Sequence, residues 1–231
     1  MAPFRFECRA IDIQHACSYK DDAEPDHPDG LLSFVEDALW VTKEFEFHRT
    51  IVSSANNYQV KTDFDTTWIG RMDKVTTWKT GALPRIKKIE LDTVSKRFRQ
   101  VNLGIPDIKP DGILTDHNVT VVVEVEQSNR KNIWFDFIKI MLLIGQQVAN
   151  FGLLLVPRNY AHKVGVWDLF SEARYYRWCL IRFAGVDPQL FSKLAIVGYT
   201  QEALIDGNWR ELDTRVMTDI KRRAKDYFRH K

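Results

Sequence analysis

Three acidic residues near the middle of the chain have the types and spacing to bind a divalent cation. Asp111 stands between a proline and a glycine, and Glu124-Val125-Glu126 follows after a short spacer. Because side chains alternate along a strand, Glu124 and Glu126 would share one face, and a hairpin would place Asp111 beside Glu124. Crowded carboxylates repel unless a cation lies between them. The pattern therefore predicts a Mg²⁺ site, which could activate water against a phosphate.

A simpler interpretation treats Glu124 and Glu126 as the solvent face of an edge strand, with Pro110-Asp111-Gly112 as an ordinary turn. The surrounding sequence favours the cation site. The strand that ends at Glu126 is rich in valine and is followed at once by a helical pattern, which predicts a position inside the sheet. An interior strand is not expected to carry two glutamates unless something stabilises their charge.

The elements that must position these acids can be predicted from the same region. Ile113-Leu114, Thr115 to Asn118 and Val119 to Glu126 predict a strand, a turn and a second strand. Asn132 is expected to cap the following helix, and Phe151 to Val156 predicts a buried strand. This order predicts a crossover that joins two parallel strands.

The crossover helix is apolar on more than one face. Its run from Ile133 to Ile144 carries Asp136 and Lys139, and these charges exclude a membrane span. A helix that is apolar all round is buried, either in the core or in a contact between subunits. The second possibility leads us to expect a homodimer.

This passage resembles the catalytic signature of the PD-(D/E)XK nuclease superfamily. The similarity lies in Pro110-Asp111, the hairpin and Glu124-Val125-Glu126, with Glu126 where the signature usually has lysine. The departure resembles the BamHI and BglII group of type II restriction endonucleases, in which that position holds Glu or Gln. The resemblance covers residues 105–157, and the flanks share only a general α/β pattern.

The resemblance implies specific roles for these residues. Asp111 and Glu124 would ligate Mg²⁺ together with the carbonyl oxygen of Val125, and Glu126 would orient the attacking water or contact a second metal ion. The segment Ser128-Asn129-Arg130-Lys131 would lie where DNA phosphates pass, although a helix-capping loop with solvated charges is an equal alternative.

Other roles stay open at this stage. The general base is unassigned because the lysine is missing, and Lys131 is too far along the chain to be taken as its replacement. Members of the group often hold a further acidic or amide residue on the preceding helix, where Glu90 and Asp92 are both candidates. Asp107 is the fallback for Asp111.

Two further patterns are weaker. Pro28-Asp29-Gly30 is also followed by Glu44-Phe45-Glu46, but the spacer predicts a helix, so these acids should not converge. Cys8, His15 and Cys17 fit no common zinc spacing and lack a fourth ligand, so we expect small buried residues there.

The remaining chain predicts an α/β protein with a mixed central sheet flanked by helices, as a single restriction-endonuclease-like domain over residues 1–231. A surface loop is expected over Tyr19 to Gly30. The other predicted elements are helices over Leu31 to His48, Ile86 to Phe98, Val166 to Tyr176 and Glu211 to Arg229, and strands over Trp178 to Phe183 and Leu194 to Tyr199.

Composition sets broad limits on function. The chain is 45% hydrophobic and 28% charged, as is ordinary for a globular protein, and three cysteines do not predict a disulfide scaffold. A net charge of +2 does not by itself indicate a nucleic-acid partner. The stretch from Arg71 to Gln100, however, has nine Lys or Arg against three Asp or Glu, and could contact phosphates. Without a membrane span or signal peptide, we expect a cytoplasmic protein.

Together these features predict a Mg²⁺-dependent, site-specific endonuclease that hydrolyses phosphodiester bonds in double-stranded DNA as a homodimer. A repair, recombination or mobile-element nuclease with the same core is one alternative. A catalytically silent DNA-binding domain, whose acids merely solvate a strand, is another.

Overall fold

The computed structural model describes residues 2–20, 22–54, 57–82, 109–127, 130–162 and 165–230. The strands are β1 Phe4–His15, β2 Phe45–Ser54, β3 Asn57–Thr62, β4 Lys79–Thr80, β5 Gly112–Asp116, β6 Val119–Val125, β7 Phe151–Pro157, β8 Tyr160–His162, β9 Gly165–Trp167, β10 Leu194–Ile205 and β11 Asn208–Glu211. The helices are α1 Asp29–Thr42, α2 Phe64–Val75, α3 Asn132–Gly145, α4 Leu169–Phe183, α5 Pro188–Ser192 and α6 Thr214–Arg229.

Nine of the described strands form one mixed sheet. Its order is β3-β2-β1-β10-β7-β6-β5-β4, with β11 paired to β10. β10 and β6 both run parallel to β7, and the other described pairs in this sheet are antiparallel. This confirms the predicted α/β class with a mixed central sheet flanked by helices.

Each face of the sheet is covered by its own hydrophobic core. On one face Val121, Val123 and Leu153 pack with residues of α1, α2 and α6. On the other face Val122 and Leu154 pack with residues of α3, α4 and α5. Successive side chains of β6 point alternately into these two cores, so both faces of the strand are buried. A charged side chain on either face therefore needs a polar partner.

The predicted hairpin and crossover are confirmed. β5 and β6 pair antiparallel across a two-residue turn, and the positive φ of 51° at His117 forms this tight reversal. α3 then returns the chain so that β7 lies parallel to β6, with Val123 opposite Leu153. These four elements position the acidic residues.

The predicted helix over Leu31 to His48 is wrong beyond Thr42. The backbone is already extended at Lys43, Glu44 follows with a positive φ of 54°, and β2 starts at Phe45. Phe45 and Phe47 are both buried, as expected for alternate residues of a strand with one face on the core. α1 still separates the acids at positions 29 and 44, so the prediction that they do not converge is confirmed.

Two further predictions are wrong. Trp178 to Phe183 is not a strand but the second half of α4, which starts after Asp168 because the carboxylate of Asp168 accepts a hydrogen bond of 3.0 Å from the amide of Ser171. Asn132 does not cap α3, since it is the first helical residue and Lys131 precedes it without a side-chain cap.

The remaining element predictions have mixed outcomes. The strand from Leu194 is confirmed, although β10 extends to Ile205. The described part of the predicted loop is confirmed up to Pro28, where α1 follows, and the final helix is confirmed from Thr214, because Glu211 belongs to β11. The helix predicted over Val166 to Tyr176 is confirmed only from Leu169, because Val166 lies in β9. The helix predicted over Ile86 to Phe98 lies outside the described residues.

Candidate active site

The hairpin between β5 and β6 places Asp111 directly beside Glu124. Gly112 pairs with Val123, so the next residues along the two strands are Asp111 and Glu124. Asp111 Oδ2 accepts a hydrogen bond of 2.8 Å from the backbone amide of Val125, the residue next to Glu124. The juxtaposition expected from the sequence is therefore present in the fold.

Strand alternation explains why Glu124 is buried. It lies on the same face of β6 as Val122, which packs in the core beneath α3, and its side chain is 1% exposed. Glu126 follows the last residue of β6, is also buried, and lines the same pocket. The three predicted acids thus meet in one place, although Glu126 arrives from the loop rather than from the strand.

Helix α3 contributes two charged side chains that sequence reasoning did not assign to the site. Lys139 Nζ lies 2.5 Å from Glu124 Oε2 and 3.0 Å from Asp136 Oδ1. Asp136 is 5% exposed. The available signal was a pair of charges three residues apart inside an apolar helix, because such a pair is stable only if it faces a polar partner.

These side chains line an open pocket of about 460 Å³. The opposite wall comes from β3 and α2 through Lys61, Thr62 and Asp65. Among the lining residues that the structure describes there are five carboxyl groups and two ammonium groups. The complete set is Val60, Lys61, Thr62, Asp65, Asp111, Glu124, Val125, Glu126, Gln127, Asn132, Phe135, Asp136 and Lys139.

Three of the acidic side chains in the pocket, Asp111, Glu124 and Asp136, have a raised pKa. Burial, followed by the charge of Asp111, raises the pKa of Glu124 to about 9 despite the nearby ammonium of Lys139. Burial also raises the pKa of Asp136 to about 6 and, more modestly, that of Asp111, although Asp111 lies at the solvent-accessible rim. Neighbouring carboxyl groups disfavour each other's charged form, and a proton or another cation near them relieves that repulsion.

Lys139 carries a positive charge in this setting. Burial lowers the pKa of Lys139, but hydrogen bonds and charges from Glu124 and Asp136 outweigh that effect and raise it overall. The side chain is therefore an ammonium at neutral pH. It partly compensates the acidic cluster and cannot accept a proton while it is charged.

Buried oxygen atoms without partners complete the argument for a cation. Within the described part of the chain, Glu124 Oε1 and Asp136 Oδ2 are buried and make no hydrogen bond. A buried carboxylate oxygen without a partner costs folding free energy. Such oxygens are preferred ligands of hard divalent cations. The residues present fit Mg²⁺: Asp111 and Glu124 offer carboxylate oxygens, and Val125 lines the same pocket.

Several predicted site residues do not join the pocket or cannot be placed. Ser128, Asn129, Glu90, Asp92 and Asp107 lie outside the described residues. The guanidinium of Arg130 forms an ion pair of 3.1 Å with Glu172 and a hydrogen bond of 3.3 Å with the Tyr176 hydroxyl, both on α4. Lys131 immediately precedes α3.

Comparisons with known proteins do not identify the chain. No protein-family model, no curated protein and no solved structure matches it. None of the described helices is both long and apolar enough to cross a membrane. The function must therefore be argued from the pocket itself.

Proposed function

We propose that the protein is a Mg²⁺-dependent endonuclease that hydrolyses phosphodiester bonds in double-stranded DNA, in the manner of a type II restriction enzyme. One observation carries the proposal: Asp111 and Glu124 converge at the end of an interior strand, and a buried oxygen of Glu124 has no partner among the described residues. Such an arrangement costs folding free energy, and a bound cation would remove that cost. The resemblance to the PD-(D/E)XK signature supplies the substrate class.

Asp111, Glu124 and the Val125 carbonyl would hold the ion. When bound, Mg²⁺ would polarise the scissile phosphate and lower the pKa of a coordinated water. Glu126, buried beside the ion site, would orient that water towards phosphorus. Water would add to phosphorus and lose a proton to solvent, and the bond to the sugar oxygen would break as that oxygen takes up a proton from solvent.

In this proposal Lys139 supplies the positive charge that the signature lysine provides elsewhere. Lys139 reaches Glu124 from α3, whereas the signature lysine lies on the strand itself. The site therefore has an ammonium group even though position 126 is Glu. Because Lys139 is protonated, it would stabilise negative charge on the phosphate rather than remove a proton from water. Lys61, which lines the pocket, would contact a neighbouring phosphate, as would the predicted segment 128–131.

Cleavage of plasmid DNA by the purified protein tests the proposal. We expect Mg²⁺ to support cutting and EDTA to abolish it, because the carboxyl cluster does not position water without a cation. Products are resolved by gel electrophoresis and their ends are mapped by sequencing. The control is the same incubation with Ca²⁺, which prefers more ligands and a looser geometry and should support binding better than cutting.

The products distinguish the alternatives. Discrete fragments with a common terminal sequence support a restriction-type enzyme, whereas a smear or structure-specific nicking supports a repair, recombination or mobile-element nuclease. Intact plasmid and genomic DNA in Mg²⁺, with DNA binding retained, would instead indicate the catalytically silent domain.

A homodimer is the second part of the proposal, because a two-fold symmetric enzyme can cut both strands of a palindromic site. α3 buries one face in the core of the single chain and presents Phe135, Ile138 and Leu142 to solvent. Their spacing places them in one stripe, and Phe135 also lines the pocket. A second copy packed on this stripe would hold two pockets on one duplex.

Replacing Ile138 by Glu should convert the dimer to a monomer, because a charge at the centre of an apolar interface is left without solvent. Sedimentation velocity measures the state, and cleavage should change from double-strand cuts to nicks. Leu32→Glu, a similarly exposed apolar residue on α1, is the matched control and should leave the dimer intact. A wild-type protein that sediments as a monomer on DNA contradicts this part of the proposal.

A further inference from the structure

Three potential metal ligands converge at a place that is separate from the acidic pocket. His15 ends β1, Cys17 follows two residues later, and His27 lies in the loop before α1. One ligand atom from each of the three lies within 4.8 Å of those of the other two. None of the three lines the pocket around Glu124. The cluster therefore has no part in the proposed nuclease chemistry.

The spacing of the ligand atoms fits tetrahedral coordination. Cys17 Sγ lies 3.7 Å from His27 Nε2. Typical Zn–S and Zn–N bond lengths with a tetrahedral angle between them would place these atoms about 3.6 Å apart. A single transition-metal ion could therefore bind both atoms with little movement of either side chain.

The orientation of His27 is set by a backbone partner. Its Nδ1 lies 2.5 Å from the carbonyl oxygen of Ser192, which can only accept a hydrogen bond, so Nδ1 carries the proton. Nε2 then presents its lone pair towards Cys17. A ring N–H donated to a carbonyl while the other nitrogen faces the ion is the usual arrangement of a metal-ligating histidine.

His15 supplies an independent observation. Its Nε2 is buried and makes no hydrogen bond among the described residues, so this nitrogen has lost its contact with water without gaining a partner. The rings of His15 and His27 lie 5.3 Å apart at an angle of 36°, tilted rather than stacked. A bound cation would satisfy the buried nitrogen.

We propose that His15, Cys17 and His27 bind one divalent transition-metal ion, with Zn²⁺ as the preferred ion. Two imidazoles and one thiolate suit a borderline-soft metal and not Mg²⁺, which prefers oxygen ligands. Glu24 is held by the backbone amides of Cys17 and Ser18 and so braces the loop instead of completing the site. The three ligands would leave one tetrahedral position for a water molecule.

The ion would fasten the loop before α1 to the sheet. Cys17 and His27 lie ten residues apart in the chain, and the segment between them has no helix or strand in its described part. His27 is in turn bonded to Ser192 at the end of α5, just before β10. Zinc binding would thus stabilise the folded chain by an amount that grows with the logarithm of the Zn²⁺ concentration divided by its Kd.

Competition with a chromophoric chelator tests the proposal on the 231-residue chain after metal is removed. We expect the wild type to bind one Zn²⁺ per chain and Cys17→Ala to bind it at least about 100-fold more weakly, since loss of even an outer partner costs about 10–100-fold. Cys8→Ala is the matched control, because Cys8 is an equally buried free cysteine in β1 outside the cluster. It should bind Zn²⁺ like the wild type.

Cobalt substitution gives a readout that does not depend on any variant folding. Co²⁺ bound to the wild type should show a thiolate-to-metal charge-transfer band and tetrahedral ligand-field bands, and Zn²⁺ should displace both. His15→Gln, at a partly exposed position, should weaken binding while the protein remains folded. Absence of the thiolate band, or equal Zn²⁺ affinity in the wild type and Cys17→Ala, overturns the proposal.

Discussion

Replacing Asp111 by Asn is expected to abolish measurable cleavage while leaving the fold at least as stable. The substitution keeps the shape of the side chain and an oxygen that can accept the hydrogen bond from the Val125 amide. It removes the negative charge that raises the proton affinity of Glu124. Because Asp111→Asn keeps the shape of the side chain and removes only its charge, it distinguishes an effect on metal binding from an effect on folding.

The expected loss of cleavage rate is large because Asp111 is one of the two carboxylates that would hold Mg²⁺ in the proposed site. Metal ions contribute several kcal/mol of transition-state stabilisation, so loss of the ion should slow cleavage by about 10³-fold or more. Thermal unfolding in EDTA should show an unchanged or higher Tm, since repulsion between Asp111 and Glu124 is relieved. Mg²⁺ should raise the Tm of the wild type and not that of the variant.

Asp116→Asn is the matched control for this prediction. Asp116 lies at the other end of β5, where its carboxylate accepts a hydrogen bond of 2.7 Å from the Thr77 hydroxyl. Its replacement should leave both cleavage and the effect of Mg²⁺ unchanged. If Asp111→Asn cuts as fast as the wild type, or if it unfolds far more easily in EDTA, the carboxyl cluster is a structural feature and not a metal site.

The sequence was sufficient to place Asp111 beside Glu124 because their relation is local. A two-residue turn and the alternation of β6 determine which side chains meet, and both can be recognised from valine spacing and turn residues. The prediction of a parallel crossover succeeded for the same reason, since a helical pattern between two apolar strands permits few topologies.

The contact between Lys139 and Glu124 could not be predicted in this way. It depends on how α3 rotates about its own axis as it packs on β6, and several rotations are possible for a helix with apolar residues on more than one face. In the observed rotation, Phe137 and Ile140 are fully buried and Phe135 and Ile138 are exposed. This rotation of α3 turns Asp136 and Lys139 towards the strand.

The cluster of His15, Cys17 and His27 was missed for a related reason. The sequence pattern grouped His15 and Cys17 with Cys8, but Cys8 packs in a different core, and the third ligand comes from a loop ten residues beyond Cys17. The position of that loop is set by Ser192 and Arg177, which are distant in sequence. No spacing rule includes such partners.

The strand predicted over Trp178 to Phe183 failed because a short apolar run does not distinguish strand from helix. Asp168 was the available signal in the sequence, because an aspartate just before a helical pattern can cap a helix, and that helix can continue through the run. Side chains buried at intervals of three and four, including Ala173 and Tyr176, maintain α4 against the sheet.

Replacing Lys139 by Met should slow cleavage by about 10²–10³-fold, the cost measured when one preorganised donor to a developing negative charge is removed. Methionine has a similar length and keeps the apolar stem, so the main change is the loss of the ammonium that contacts Glu124 and Asp136. The rate is measured by single-turnover cleavage of a short duplex that contains a mapped site.

The same substitution should have the opposite effect on the response to Mg²⁺. Without Lys139, the carboxyl groups of Glu124 and Asp136 are buried with no cation beside them, which destabilises the fold or forces both to take up protons. A bound cation would then relieve more repulsion than it does in the wild type. Mg²⁺ should therefore raise the Tm of Lys139→Met by more than it raises that of the wild type.

This combination of slower cutting and stronger stabilisation by Mg²⁺ distinguishes the possible roles of Lys139. If the residue only balanced charge in the folded protein, added Mg²⁺ would restore both stability and rate. If it were needed to bind the ion, both responses would fall together. Lys225→Met, at an exposed position of α6, is the control for loss of one lysine and should change neither measurement. Only a group that acts on the phosphate after the ion has bound gives a low rate at saturating Mg²⁺ in a stable protein.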